Sequence, residues 1–532
     1  MPRTSGVLLH FTSLPSPFGV GDMGPEAVRF AEFLAAAGQR WWQVLPVGPT
    51  AVSNGNSPYS TFSAFAGHPL LLSPERLAEA GRLAPSEVNL ARQPAGPHAD
   101  FRSAARAKRQ LLAAAFERAE PGLADDPEFN AFLVRNGWWL NDYALFTAVK
   151  EELRGQPWYL WPEDLRRREE PALRWWGTRL ARPILREKFL QYLFFTQWGE
   201  LRARLRELGV GLIGDAPIYV TLDSPDVWCN QELFRLGPDG RPTVVAGVPP
   251  DYFSKTGQRW GNPVYDWDAA RRQGFQWWVA RLRHNFGLFD QVRLDHFRAF
   301  AAYWAIPTGE KTAVAGRWEP TPGYELLATV RDRTGGLPLI AEDLGTITDD
   351  VRALRRAFGL PGMRVLQFAF GPGCPDSPHA PHNHAPDAVA YTGTHDNNTV
   401  RGWFEDDAGD ADRRRLARYL GAMPGDGREA ARQLVRLAWT SVAAQAMAPA
   451  QDLLGLDGSA RMNTPGRARG NWGWRLAPGA LGERLAAELA ELTVLSGRAT
   501  QRDASEPGEV VDETEAADVA EDAVKRGAEA PA

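Results

Sequence analysis

The stretch DQVRLDHFRAF, at positions 290–300, carries the most suggestive chemistry in the sequence. It begins apolar and β-prone and ends in charged residues, among them Arg293, Asp295 and Arg298. Arg293 and Asp295 stand two positions apart, so they share one face of an extended strand. A guanidinium beside a carboxylate keeps that carboxylate ionised and aimed, which suits a nucleophile better than a proton donor. A plain salt bridge at a strand end is the alternative interpretation.

Two further stretches place carboxylates directly after apolar residues. In LPLIAEDLG, Glu342 stands beside Asp343, and in AVAYTGTHDNN, Asp396 follows His395. A proton donor needs a raised pKa, which burial or a neighbouring anion supplies, and Glu342 fits this description. Two carboxyl groups that flank a bond, one ionised and one protonated, cleave glycosides. Asp396 fits a third group that holds sugar hydroxyls, and a metal site built from the three carboxylates is the alternative.

These residues require a scaffold that brings several strand ends together. Eight strand-like segments occur along the chain, and helical patterns separate most of them. They are residues 7–11, 41–50, 210–220, 290–300, 337–345, 363–370, 388–398 and, more weakly, 444–454. Because polar residues stand at the C-terminal end of most segments, the sequence predicts an α/β protein of the (β/α)8 TIM barrel type, with the carboxylates meeting at one mouth.

The barrel must carry additional segments, because 532 residues are too many for one simple core. Residues 73–182 show helical periodicity with few β-branched runs, which predicts a mainly helical insertion. Residues 247–263 mix proline, glycine and aromatic side chains, which favours a loop that covers a substrate, although a plain surface loop has the same composition. We expect the catalytic unit to span residues 1–497.

Aromatic residues are frequent in this chain, which contains 20 tryptophans. Such an excess fits a cleft that stacks the flat apolar faces of sugar rings. After the second predicted strand, the loop SNGNSPYSTFSAF carries Ser57 and Tyr59. Tyr59 suits either a ligand-stacking role or an anchor for the loop, and composition alone does not separate the two.

The charge distribution argues against two classes of partner. The formal net charge is −5, but residues 503–532 hold ten acidic and two basic residues, so the rest of the chain is nearly neutral. No basic stripe indicates nucleic-acid binding, and no apolar run of about 18 residues indicates a membrane span. The acidic segment 498–532 is rich in alanine and glutamate, and its composition predicts a disordered, solubilising tail.

The cysteine and histidine content predicts a protein without disulfides or zinc. Only Cys229 and Cys374 are present, and the apolar segment near the N-terminus is too short for a signal peptide. These features predict a reducing, cytoplasmic location. Two cysteines cannot form a zinc site unaided, and the nine histidines include no HExxH motif, so no zinc site is predicted.

Longer strings carry a family resemblance. VRLDHFR, AEDLG and YTGTHDNN resemble conserved regions of the α-amylase clan. WWQVLPVGPT, GDAPIYV, VVAGVPPDYFSKTGQRWGNP, LPGMRVLQFAF and RMNTPGRARGNWGWR are similar to the 4-α-glucanotransferases called amylomaltases or disproportionating enzymes. The resemblance covers about residues 6–475. It implies a barrel with inserted subdomains that transfers segments of α-1,4-glucans or maltooligosaccharides, with no organic cofactor, essential metal or obligate protein partner.

The resemblance also implies a role for individual residues. Asp295 would be the nucleophile, Glu342 the acid/base and Asp396 the stabiliser of the transition state, in a retaining transfer through a covalent glycosyl-aspartate. The implied substrate contacts are Arg293, His395, Asp215, Tyr59, Ser57, Asn463, Tyr252, Phe253 and Trp260. The family usually has aspartate where this chain has Asn398, and we expect this difference to tune the loop rather than abolish activity.

Three other functions stay open on the sequence alone. An ordinary α-glucan hydrolase would use the same three carboxylates. A glucan-binding protein without catalytic activity would share the aromatic cleft, although the presence of all three carboxylates argues against it. A metal-dependent barrel hydrolase would use the carboxylates as ligands instead.

Overall fold

A computed structural model describes residues 2–51, 54–94, 96–250, 254–467 and 469–499. Its strands are β1 (Thr4–Leu8), β2 (Trp41–Gln43), β3 (Gly211–Ala216), β4 (Val244–Val248), β5 (Gln258–Pro263), β6 (Gln291–Leu294), β7 (Ala302–Pro307), β8 (Arg317–Pro320), β9 (Leu339–Ala341), β10 (Gly362–Val365), β11 (Ala388–Tyr391) and β12 (Gln445–Pro449).

The α-helices in the same residues are α1 (Pro25–Ala36), α2 (Pro74–Glu79), α3 (Pro85–Leu90), α4 (Phe101–Ala119), α5 (Pro127–Glu152), α6 (Glu163–Arg166), α7 (Glu170–Arg179), α8 (Ala181–Glu207), α9 (Pro225–Cys229), α10 (Trp267–Arg272), α11 (Gln276–Leu288), α12 (Gly323–Thr334), α13 (Asp349–Ala357), α14 (Val400–Gly402), α15 (Asp410–Leu420), α16 (Gly427–Thr440), α17 (Ala450–Leu453) and α18 (Glu483–Leu495).

Eight of the strands close into a parallel barrel in the order β1-β12-β11-β10-β9-β6-β3-β2, so the predicted (β/α)8 barrel is confirmed. Each of the eight predicted segments overlaps one barrel strand, and six of them contain it entirely. β1 begins three residues before its segment, β10 begins one residue before its segment, and β2 ends at Gln43 although its segment covered residues 41–50. Thr4 of β1 pairs with Gln445 of β12, which joins the first strand of the barrel to its last.

The barrel interior is filled by apolar side chains. Residues two apart on β10 and β11 point to the same side of the sheet and form one buried cluster with residues of three other strands. The cluster consists of Ile213, Ile340, Met363, Val365, Val389, Tyr391 and Met447. Because this core leaves no channel through the barrel, functional side chains must lie at one of its ends.

The chain between β2 and β3 forms the helices α2 to α8. The long helices α5 and α8 pack against each other, and Lys108 of α4 ties this helical region to the loop after β1. Lys108 is buried and donates to Asp22 Oδ2 (2.7 Å) and to the carbonyl of Leu72 (2.9 Å). In the described part of the chain, no helix combines the length and apolarity that crossing a membrane requires.

A second, antiparallel sheet has the strand order β5-β4-β7-β8. It takes in part of residues 247–263, which the sequence indicated as a loop: Trp260 lies on β5, an edge strand that pairs with β4. The prediction missed this strand because its residues QRWGNP include glycine and proline, which are depleted in strands. Tyr252 and Phe253 lie outside the described residues.

Arg498 fastens the seam between β1 and β12. Its guanidinium is fully buried and donates to the carbonyl oxygens of Thr4 (2.7 Å), Trp439 (2.6 Å) and Ala443 (2.9 Å). Burial, together with the nearby charge of Arg3, lowers the pKa of Arg498 to about 9. The boundary expected at residue 497 therefore falls inside the folded chain, while the acidic residues from 503 onward lie outside the described residues.

Candidate active site

Four carboxylates are carried by the C-terminal ends of three neighbouring barrel strands and by the loop after a fourth. Asp215 is in β3, Asp295 follows β6 directly, Glu342 follows β9 directly, and Asp396 is in the loop after β11. Strands β3, β6 and β9 are adjacent in the barrel, so their ends meet. Charged groups at this end of a (β/α)8 barrel are where such folds place their chemistry.

Arg293 is the cation that organises the first pair of acids. Its Nη1 lies 2.8 Å from Asp215 Oδ2 and 2.9 Å from Asp295 Oδ1, and its side chain is almost completely buried. Burial lowers the pKa of Arg293, but Asp215 and Asp295 outweigh it and raise the pKa well above the usual value. The expected Arg293–Asp295 ion pair is present, and Asp215 adds a partner that spacing on the strand could not indicate.

Asp215 is held between a cation and a phenol. Arg293 donates to both of its oxygens, and the Tyr59 hydroxyl donates to Oδ2 at 2.6 Å. Burial raises the pKa of Asp215 to about 7, because Asp295 adds to the effect and Arg293 only partly opposes it. Burial and the charge of Asp215 also raise the pKa of Tyr59, so its hydroxyl stays protonated and donates a hydrogen bond to the carboxylate.

Asp295 is the more accessible of the two acids that Arg293 holds. Its side chain is 29% exposed, whereas that of Asp215 is fully buried. Its backbone N–H donates to the carbonyl of Ala216 (3.1 Å), which continues the pairing of β6 with β3 by one residue. The carboxylate is thus fixed at its base, paired with Arg293 and open on its outer side.

Glu342 is held by backbone donors. Oε2 accepts from the N–H of His296 (2.7 Å) and Oε1 from the N–H of Leu344 (3.0 Å). Burial raises the pKa of Glu342 to about 8, Asp295 adds to the rise, and Arg293 opposes it. A carboxyl group with this pKa is protonated at neutral pH and can serve as a proton donor.

The sequence predicted a neighbouring anion for Glu342, and the structure corrects which one. Asp343 is the next residue, but successive side chains at a strand end point to opposite sides. Asp343 accepts from the N–H of Met363 (2.8 Å) and pairs with Arg364 (3.2 Å), away from Glu342. The anion that raises the pKa of Glu342 is Asp295, which comes from the adjacent strand end.

Asp396 is oriented by residues from the C-terminal part of the barrel. Asn463 donates its amide to Asp396 Oδ1 at 2.6 Å, and Arg461 donates to the Asp396 carbonyl at 2.6 Å. His395 Nε2 lies 3.4 Å from the same Oδ1. Burial lowers the pKa of His395, so this ring is neutral at neutral pH and can hydrogen-bond without adding charge.

An aromatic stack connects the part of the site around Asp215 with the part around Asp396. The Tyr59 ring stacks on His395 at 4.9 Å between centroids, and Trp472 lies 5.9 Å from each ring. The Tyr59 hydroxyl also lies 3.4 Å from His395 Nδ1. Trp472 and Arg461 lie in a string that carries the family resemblance, but the sequence predicted no role for either residue. Only the clustering of aromatic and basic residues in RMNTPGRARGNWGWR pointed to them.

The remaining predicted contacts are less tightly assembled. Ser57 is half-buried, and its carbonyl accepts from the N–H of Ser60, so its place is in the turn that presents Tyr59. Trp260 is 39% exposed and packs edge-on against the ring of His296, with 4.9 Å between centroids. Tyr252 and Phe253 lie outside the described residues.

Asn398 fits its surroundings as an amide. Its Nδ2 donates to Asp407 Oδ2 at 3.0 Å, while its backbone carbonyl accepts from the Gln367 side chain at 2.8 Å. An aspartate at this position would face another carboxylate instead of donating to it. Over the residues that the structure covers, no group of three or more His, Cys, Asp or Glu side chains could hold a metal ion.

Comparison with known proteins gives a consistent picture. The sequence profile of the family described as 4-alpha-glucanotransferase matches residues 9–481. The 4-alpha-glucanotransferase of Thermus thermophilus is 49% identical over 506 residues, which cover 93% of this chain and 99% of the relative. That of Synechocystis is 48% identical over 501 residues, which cover 93% and 98% of the two chains.

Solved structures match over the same length. The amylomaltase from Streptococcus agalactiae, determined in complex with acarbose, superposes with a TM-score of 0.89 at 35% identity and covers 94% of this chain and 100% of its own. The amylomaltase from Corynebacterium glutamicum superposes with a TM-score of 0.74 at 19% identity, covering 94% of this chain and 75% of its own, and at that identity it supports the fold alone.

Proposed function

This chain belongs to the 4-alpha-glucanotransferase family, and from that premise we propose that it works by a retaining double displacement. A segment of an α-1,4-glucan moves to the 4-hydroxyl of another glucan or of glucose through a covalent glycosyl-aspartate. The names of the relatives and the acarbose bound to the Streptococcus agalactiae amylomaltase support α-glucans and maltooligosaccharides as substrates. The two free cysteines support a reducing compartment such as the cytoplasm.

In the first step, Asp295 attacks the anomeric carbon while Glu342 protonates the departing sugar oxygen. The carboxylate oxygen forms a bond to carbon as the glycosidic bond breaks, and the leaving chain takes the proton of Glu342. Asp396 holds hydroxyls of the distorted ring, because Asn463 and His395 orient its carboxylate. Arg293 keeps Asp295 aimed throughout.

In the second step, Glu342 acts as the base. It takes the proton from the 4-hydroxyl of an acceptor sugar, and that oxygen displaces Asp295 from the anomeric carbon, which restores the α configuration. Transfer competes with hydrolysis at this point. A barrier difference of about 1.4 kcal/mol in favour of sugar over water gives a tenfold preference, and we assign this preference to the aromatic residues of 247–263.

The observation that carries this proposal is the contrast between two acids from adjacent strand ends. Asp295 is paired with a buried guanidinium, while burial and Asp295 itself raise the pKa of Glu342 to about 8. A carboxyl group paired with a cation suits the role of nucleophile, and a neighbouring one with a raised pKa suits the role of proton donor.

The activity is tested by incubating the protein with maltotriose, without added metal, and separating the products by chain length. A ladder of longer maltooligosaccharides beside glucose supports transfer. Products limited to glucose and maltose would favour the hydrolase, and an unchanged substrate would favour a glucan-binding protein. Release of glucose and maltose without a ladder, abolished by a chelator, would favour the metal-dependent hydrolase.

The covalent intermediate needs a separate experiment. Glu342→Gln is given a maltooligosyl fluoride, whose leaving group departs without a proton, so that Asp295 becomes glycosylated and the second step stalls. Mass spectrometry of the intact chain and of its proteolytic peptides should show the sugar on the peptide that contains Asp295. The matched control is the double variant Asp295→Asn, Glu342→Gln, and equal labelling of both variants would exclude the glycosyl-aspartate.

A further inference from the structure

We propose that His296 is a positioning residue for Glu342: the left-handed backbone turn at His296 directs two successive N–H groups to that glutamate. This inference rests on the proposed acid/base role of Glu342. The residue follows Asp295 directly, so one short turn links the proposed nucleophile to the proposed proton donor on the neighbouring strand end.

The backbone around His296 wraps around Glu342. His296 has φ 52° and ψ 51°, and its N–H donates to Glu342 Oε2 at 2.7 Å. The N–H of Phe297 donates to the Glu342 carbonyl at 3.1 Å, and the N–H of Glu342 donates to the Leu294 carbonyl at 3.1 Å. Three hydrogen bonds therefore join this one turn to the main chain and the carboxyl group of Glu342.

The left-handed conformation is what makes this arrangement available. In an extended strand successive N–H groups point to opposite neighbours, and Asp295 still follows this rule by donating to Ala216 of β3. At His296 the turn brings the next N–H, that of Phe297, to the same side as that of His296. A residue other than glycine is uncommon at positive φ, and histidine is among the types that tolerate it best, whereas β-branched residues do not.

The imidazole of His296 has no charge to contribute. Burial lowers the pKa of the ring to about 4, so the ring is neutral in the working range. Trp260 packs against it edge-on, and within the described residues Nε2 is buried without a hydrogen-bond partner. Replacing this ring by another neutral side chain leaves the local electrostatics unchanged, so a series of substitutions isolates the backbone conformation.

The charges that face Glu342 come from other residues and stay in place. Arg293 and Asp295 approach from β6 and its end, and Asp215 of β3 is held by the same Arg293. The adjacent Asp343 is engaged by Arg364. A change in the titration of Glu342 in variants at position 296 therefore reports the loss of backbone donors, because hydrogen bonds to the carboxylate lower its pKa.

The experiment compares four variants graded by their tolerance of positive φ: His296→Gly, His296→Asn, His296→Ala and His296→Val. The pH dependence of kcat/KM for transfer from maltotriose gives an alkaline limb that reports the proton of the acid. We expect His296→Val to move this limb upward by about one pH unit and to lower kcat about tenfold to a hundredfold. His296→Gly and His296→Asn should leave the limb within about 0.3 pH unit of its position in the parent protein, and His296→Ala should give an intermediate shift.

Two controls make the result decisive. Thermal unfolding and circular dichroism establish that each variant is folded, and His296→Ala carries the test if His296→Val is not. A maltooligosyl fluoride donor, which needs no protonation, should remove the alkaline limb from kcat/KM in the parent and thereby assign the limb to the acid.

The outcomes separate this inference from the function on which it rests. A parent protein without transfer activity would overturn the proposed function. An active parent with an unmoved limb in the folded Ala and Val variants would overturn the positioning role alone. A Gly variant that shifts as far as Val would also overturn it, because the ring rather than the turn would then be responsible.

Discussion

Strand β6 carries an aspartate–arginine ion pair at each of its ends, and the two pairs differ in what surrounds them. At the N-terminal end, Asp290 accepts from Arg202 (2.9 Å) and from the N–H of Leu212 (2.8 Å). At the C-terminal end, Asp295 lies 2.9 Å from Arg293, and within the described chain its second oxygen has no hydrogen-bond partner. We call the first pair complete, because both carboxylate oxygens of Asp290 have partners, and the second pair open, because one oxygen of Asp295 has none among the described residues.

This difference separates a contribution to stability from a contribution to chemistry. A carboxylate with partners on both oxygens holds chain segments together, here the starts of β3 and β6 and the end of α8. A carboxylate with one oxygen unengaged has lone pairs available for an electrophile. In a barrel of this type the N-terminal face stabilises and the C-terminal face carries the site.

The largest expected effect comes from breaking the open pair. Asp295→Asn should reduce transfer from maltotriose by about 10⁴-fold or more, because the amide cannot form the glycosyl intermediate. The unfolding free energy, measured in urea, should change little, since this carboxylate holds no backbone group. A large fall in the unfolding free energy together with the loss of activity would mean that Asp295 stabilises the fold as Asp290 does.

The next effect concerns pH and belongs to the open end. Glu342 has a pKa raised to about 8, so its proton is lost as the pH rises through that value. Initial transfer rates should fall about tenfold per pH unit above about 8. A rate that stays constant up to pH 10 in a protein that remains folded would contradict Glu342 as the acid.

A smaller effect is expected from Tyr59→Phe, which removes the hydroxyl that donates to Asp215 Oδ2. The ring that stacks on His395 is kept, so the site should assemble. We expect transfer to fall about tenfold, which corresponds to the loss of one hydrogen bond to a buried charged group. Steady-state rates check this, and a variant as inactive as Asp295→Asn would place Tyr59 in the chemistry itself.

The smallest effect should come from the complete pair. Asp290→Asn is the matched control for Asp295→Asn, with the same chemical change at the other end of the same strand. Its side chain is 39% exposed, so the loss of unfolding free energy should be about 1 kcal/mol or less. Transfer by the folded protein should equal that of the parent, and a clear loss of transfer would break the comparison.

Much of the barrel could be predicted because each strand leaves a local signal. Apolar runs followed by polar residues located all eight barrel strands, but they did not locate strand ends. The apolar, buried residues 44–47 continue the run past the end of β2 at Gln43, since buried chain that leaves the barrel is as apolar as the barrel itself. The antiparallel sheet went unpredicted because its central pair, β4 and β7, joins segments far apart in sequence.

The sequence located the carboxylates and the Arg293–Asp295 pair, but not the partners that come from other strands. Asp295, Glu342 and Asp396 stand at strand ends or in strand-end loops, which a pattern can show. The bond between Arg293 and Asp215 spans 78 positions and depends on strand order, which no local pattern contains. The left-handed turn at His296 was equally hidden, because the string around it reads as a continuous strand.

The seam fastened by Arg498 also has a consequence for how the chain is made. β1 has β12 as one of its two neighbours, and Thr4 must wait for Gln445 to leave the ribosome. At about 5 to 20 residues per second this takes on the order of 20 to 90 seconds. During that time one edge of β1 is unpaired and able to pair with other chains. Arg498 emerges later still, so the barrel is locked only after this residue has been made.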